Sequence, residues 1–146
     1  MDYGVDGSDA DPERIPGTLS NFGYANGGIL IDYYSGTVIN ELRNGYPVLL
    51  GGHSTENGHS WLAHGLMEVH HRRKGYNASD ELVTDYTYLG GNYLLFNWGE
   101  RGLHDGFFLS GIFDMNTTPA YPRPTRVVQD LNFSSRMTAV VGIRKN

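Results

Sequence analysis

From Tyr46 to Ile143 the chain is a succession of apolar, β-branched or aromatic runs closed by glycine, asparagine or aspartate. This punctuation limits the fold more than any other feature, because such runs between turn formers make strands. Tyr46-Pro-Val-Leu-Leu50 ends on Gly51-Gly52, and Tyr93-Leu-Leu-Phe96 follows Gly90-Gly91-Asn92. Phe107-Phe108-Leu109 follows Asp105-Gly106, and Met137–Ile143 closes the series. Two longer runs, His59–His71 and Glu81–Leu89, flank the turn signal Gly75-Tyr-Asn-Ala-Ser-Asp80. They are expected to pair as a long hairpin. The stretch from Asn116 to Arg126, rich in proline, reads as a surface loop.

Helical character is confined to the first third. Met1 to about Gly17 reads as loop, with a short helix expected from Pro12 and Glu13 whose apolar face includes Leu19 and Phe22, disturbed by Pro16. A firmer helix is predicted over roughly 36–44, with Ser35 as N-cap, Val38, Ile39 and Leu42 as its apolar stripe and Gly45 as its stop. The predicted class is therefore α+β, dominated by an antiparallel sheet. A length of 146 residues suits one domain, 1–146, with a sizeable core.

Charge and composition exclude several functions. A net charge of −5 argues against a nucleic-acid partner, and the basic run His70–Lys74 is too short to reverse that. No apolar run approaches a membrane span, and the acidic start MDYGVDGSDADPE is no signal peptide, so either the protein is cytoplasmic or a targeting signal lies outside these residues. The absence of cysteine excludes disulfides, thiolate metal sites and a cysteine nucleophile within the chain. No metal or cofactor is expected: His53, His59 and His64 lack a helical chelating register, and adjacent strand residues such as His70 and His71 face opposite ways.

Two short segments could carry chemistry. His59 follows Gly58 at a strand start, where the sheet would fix the imidazole and leave one ring edge open for a general base. Gly58, lacking a side chain, would let an extended substrate backbone lie close. Asn97-Trp98-Gly99 ends the strand 93–96. An amide oxygen from Asn97 could fix the ring tautomer, and the Trp98 indole could shield that bond from water. Taken singly, each is more often a packing or strand-ending residue.

In order along the chain, Met1-Asp-Tyr-Gly4, Asn21-Phe-Gly-Tyr24, Tyr46-Pro-Val48, Gly58-His59-Ser-Trp61 with Gly65, Asn97-Trp98-Gly99 with Asp105-Gly106-Phe107-Phe108, and Ala139–Ile143 resemble the streptopain-family cysteine peptidases, a papain-like bacterial group. The tail Leu109–Asp114 is closest to Bacteroides-type versions. The resemblance is to the C-terminal, histidine-bearing half, and it implies a thiol protease, secreted, periplasmic or at the cell surface. His59 would be the base, Asn97 would orient its ring, Trp98 would cover that bond, and Gly58 and Glu100 would line the substrate cleft. Glu100 stands where the family carries a second tryptophan, and His64 where an aspartate is common. The cysteine nucleophile and most of the oxyanion hole would belong to an N-terminal half absent from this sequence.

The expected function is thus part of a cysteine endopeptidase, inactive as an isolated chain. Its expected partners are a peptide or protein substrate and the cysteine-bearing half, with a homodimer as another way to cover an apolar interface. The alternative is a non-catalytic module that binds a peptide or a protease with a papain-like half fold. A purely structural sheet domain is a third reading.

Overall fold

The computed structural model describes residues 2–4, 7–9, 11–25, 27–55, 57–99, 101–102, 104–113 and 132–145. Two short strands, β1 (Asp2–Gly4) and β2 (Gly7–Asp9), pair antiparallel where the sequence reads as loop. A 3₁₀ turn, Pro12–Arg14, leads into α1 (Ile15–Asn21). Pro16 does not disturb this helix, because it sits in the first turn, where its missing N–H has no intrahelical acceptor to lose. The expected apolar face of α1 is only partly used: Leu19 is half-buried, whereas Phe22 lies beyond the last turn and is 78% exposed.

Strand β3 (Tyr24–Ala25) and strand β4 (Ile29–Asp32) precede α2 (Ser35–Arg43). Ser35 is the first helical residue and the N-cap is Tyr34, whose side chain makes no capping bond. The stop is as the sequence suggests. Gly45 adopts a φ of +79°, its N–H donates to the Leu42 carbonyl, and the Tyr46 N–H donates to the Glu41 carbonyl. That paired closure is a Schellman motif, which needs a residue without Cβ strain at the left-handed position. Val38 and Leu42, on one face of α2, are buried against the sheet.

The remaining strands are β5 (Val48–His53), β6 (Gly58–Tyr76), β7 (Leu82–Asn97), β8 (Gly106–Leu109), β9 (Ser135–Val141) and β10 (Arg144–Lys145). Five of them join β4 in one sheet in the order β4-β9-β5-β6-β7-β8, antiparallel throughout, while β10 pairs with β3. This is the α+β, antiparallel architecture expected from the punctuation, with two short helices near the N-terminus. Alternation sets the buried face: Val48 and Leu50 on β5, Trp61 and Ala63 on β6, Leu94 and Phe96 on β7, and Phe108 on β8. Phe113, Phe133 and Ala139 complete the core.

The long hairpin is larger than the sequence suggests. β7 runs without a break from Leu82 to Asn97, so Gly90-Gly91-Asn92 is not the turn it resembles. The register slips between Val69 and His70, where Gly91 and Leu89 are the successive partners and Gly90 is the extra residue of a bulge. Beyond that bulge the hairpin is a two-stranded arm exposed along its length. The segment 116–126, read as a surface loop, lies outside the described residues.

Candidate active site

The two ends of the long hairpin define the site. His59 is the second residue of β6 and pairs with Gly52 of β5, while Asn97 ends β7 and pairs with Leu62. Because β6 and β7 are partners, the length of the arm beyond them does not alter the distance between their near ends; an inserted hairpin returns the chain to the place it left.

The His59 ring lies on the same side of the sheet as Trp61 and is half-buried. Its Nε2 is 2.8 Å from the backbone carbonyl oxygen of Trp98. A carbonyl only accepts, so Nε2 carries the hydrogen and Nδ1 is the basic nitrogen. Phe133 packs on the ring at 5.0 Å between centroids, with Trp61 at 6.1 Å and Trp98 at 6.2 Å. Trp61 and Trp98 are themselves 4.7 Å apart, and Trp61, Trp98 and Phe133 are all buried. These three aromatic side chains restrict rotation of the imidazole and keep water from its inner face.

The acceptor differs from the expected one. Asn97 is exposed, and its Oδ1 accepts the Gly99 N–H at 2.9 Å rather than a ring hydrogen. The reason is local: an Asn side chain readily caps the N–H two residues on, and Gly99 adopts the left-handed φ of +80° as the chain turns away. The Gly99 N–H and the Trp98 C=O belong to one peptide group. The Asn97 side chain and the His59 ring thus bond to opposite ends of the same peptide plane. The Trp98 indole is nearly parallel to the ring, with an interplanar angle of 22°.

Gly58 is exposed at the end of the β5–β6 hairpin, but the space its missing side chain leaves is filled. A Cβ there would meet Cε1 of the His53 ring at 3.0 Å, so this glycine makes room for an imidazole rather than for a bare cleft wall. A cavity of about 310 Å³ opens next to it, lined by His53, Ser54, Thr55, Asn57, Gly58, Ser135 and Arg136. Glu100 lies outside the described residues. His64 is exposed on β6.

Two residues shape the site without having been singled out for it. Asp105, just before β8, accepts the Trp98 N–H through Oδ1 at 2.9 Å. Its signal was the Asp-Gly pair ahead of Phe107, where a short acidic side chain can reach a neighbouring main-chain donor. Phe133, by contrast, carries no local signal, since an aromatic residue near a strand is unremarkable in sequence. No group of three or more His, Cys, Asp or Glu side chains among the described residues is arranged to hold a metal ion. No helix among them is long and apolar enough to cross a membrane.

The Peptidase C10 family model matches residues 1–108, which span His59, Asn97, Trp98 and Asp105 but not Phe133. Comparison with curated proteins finds no match. The match covers well over half of the 146 residues, so the chain belongs to the Peptidase C10 family, the streptopain family of cysteine peptidases.

Proposed function

We propose that this chain is the histidine-bearing part of a cysteine endopeptidase, with the nucleophilic thiol supplied by a segment outside residues 1–146. The observation that carries the reading is the 2.8 Å bond from His59 Nε2 to the Trp98 carbonyl, which leaves Nδ1 as the proton acceptor. Nδ1 would take the thiol proton, giving a thiolate–imidazolium pair. The thiolate would attack the peptide carbonyl, and the imidazolium would return the proton to the leaving amine as the C–N bond breaks. Water, deprotonated by the same nitrogen, would then hydrolyse the thioester. Asn97 would hold the peptide plane that receives the ring, and Trp98 and Phe133 would keep that bond dry. Gly58 and Glu100 would border the peptide substrate.

The exposure of Phe22 (78%), Ile29 (64%) and Tyr34 (67%) supports an apolar surface that the cysteine-bearing segment covers. A secreted bacterial enzyme fits the family, with export directed from outside these residues. Mixing the chain with a cysteine-bearing N-terminal segment of the family tests the reading. Peptidase activity that is abolished by thiol alkylation and by His59→Ala is the expected outcome. Turnover by the purified chain alone, unaffected by His59→Ala, refutes it.

A further inference from the structure

The His59 ring is held by a backbone carbonyl, which raises the question of what holds the carbonyl. The β7–β8 ladder ends at the pair Phe96–Gly106, so the Trp98 amide lies past the last main-chain partner. Asp105, the residue before that ladder, reaches back and accepts the Trp98 N–H. Three bonds then run in series: Trp98 N–H to Asp105 at 2.9 Å, His59 Nε2–H to the Trp98 carbonyl at 2.8 Å, and Gly99 N–H to Asn97 at 2.9 Å. Asp105 fixes the peptide plane entering Trp98, and Asn97 fixes the plane leaving it. The buried indole pins the Cα between them.

We propose that Asp105 is a positioning residue for His59, its carboxylate fixing the Trp98 amide and so aiming the Trp98 carbonyl that holds the imidazole Nε2–H. This assignment rests on the reading of His59 as the base. Two physical features favour it over simple turn closure. A carboxylate gives a shorter, stronger bond to an N–H than a neutral acceptor does, which suits a role in orientation. The outer partners of a catalytic or ligating histidine set ring orientation and tautomer, and here the outer partner is a peptide group held through its own N–H by Asn97 and through the preceding amide by Asp105. Asp105 is half-buried, so water competes poorly for its oxygen.

The test uses the 146-residue chain and nuclear magnetic resonance of the His59 ring. The solvent exchange of the Nε2 hydrogen is compared with that of core amides such as Leu94 and Ala139, which report global opening. Asp105→Ala is expected to speed ring-hydrogen exchange by about tenfold relative to those amides. Asp105→Asn keeps an acceptor oxygen in place and should return the rate to within about threefold of the wild type. A ring hydrogen that exchanges at the wild-type rate in folded Asp105→Ala overturns the proposal.

Should Asp105→Ala fail to fold, the wild-type chain and Asp105→Asn decide. A Trp98 amide that exchanges like a solvent-exposed one overturns the assignment. Protection matching that of Leu94, together with a Trp98 amide resonance that moves when Asp105→Asn removes the charge, supports it. None of these readouts needs a nucleophile. An active reconstituted peptidase with an unresponsive ring hydrogen would overturn Asp105 alone, whereas a responsive ring hydrogen without peptidase activity would overturn the catalytic reading alone.

Discussion

Gly52 offers the sharpest test of how the site is packed, because it lies under the segment that brings Phe133 to His59. An added Cβ at Gly52 would run into the backbone carbonyl of Phe133, with Met137 Sδ at 2.6 Å and the Phe133 carbonyl carbon at 3.2 Å. The obstacle is main chain rather than a flexible tip, so the segment at Phe133 must move. It is poorly free to do so: the Phe133 N–H donates to the Phe113 carbonyl at 2.9 Å, and its ring is 4% exposed. Overpacking a core costs about 1–3 kcal/mol, and complete removal of a buried phenylalanine costs about 3–5 kcal/mol. Gly52→Ala should fall between these, at about 2–4 kcal/mol.

For a chain of this length that corresponds to a drop in Tm of roughly 5–15 °C by calorimetry. Two other glycines serve as controls. Gly17, inside α1, has nothing within 4 Å of an added Cβ, so Gly17→Ala should stabilise by about 0.5–1 kcal/mol. At Gly90 the added carbon meets only the exposed His71 side chain, which can rotate away, so Gly90→Ala should leave Tm nearly unchanged. If Gly52→Ala melts with the wild type, then the segment 133–137 does not lie across β5 and the aromatic wall of His59 is misassigned.

Glu41 ties α2 to the end of the chain. Its Oε2 accepts the Gly142 N–H at 2.9 Å and its Oε1 accepts from Arg144 at 3.3 Å, with the carboxylate 13% exposed. Glu41→Ala should cost about 1–3 kcal/mol by denaturant titration, because it orphans a main-chain donor, and Glu41→Gln should recover most of that. Stability of the arm should depend on acidity in a definite direction. The side-chain hydrogen bond from Arg72 holds the Asp85 carboxyl below its ordinary range. A lowered folded-state value contributes stability that is present above the ordinary carboxylate range and is lost as pH falls through it to the lowered value. Amide protection over residues 72–87, taken as the ratio of intrinsic to observed exchange rate at each pH, should therefore fall on acidification through that window in the wild type. The acid response should be smaller in Asp85→Asn, and high salt should weaken it.

The sequence by itself determined five of the six strands of the sheet, β5 to β9, the two helices and the order of motifs that mark the family, while β4 went unread. These are local matters: alternation decides which face of a strand is buried, and glycine at position 45 decides where α2 can turn left-handed. It also determined that the chain contains a candidate base and no cysteine. Only the tertiary structure decided where β9 lies, between β4 and β5, since pairing of residues a hundred positions apart leaves no periodicity in either segment. It also showed that Gly90 is a bulge rather than a turn, and that the His53 ring occupies the space beside Gly58. Most of all, it decided what holds the imidazole. Asn97 was legible as an amide near a histidine, yet the bond to the ring comes from the carbonyl of Trp98, a group that every residue carries and that no sequence can single out. Its direction is set by folding, because a peptide plane is aimed only once the side chains and amides around it have come together.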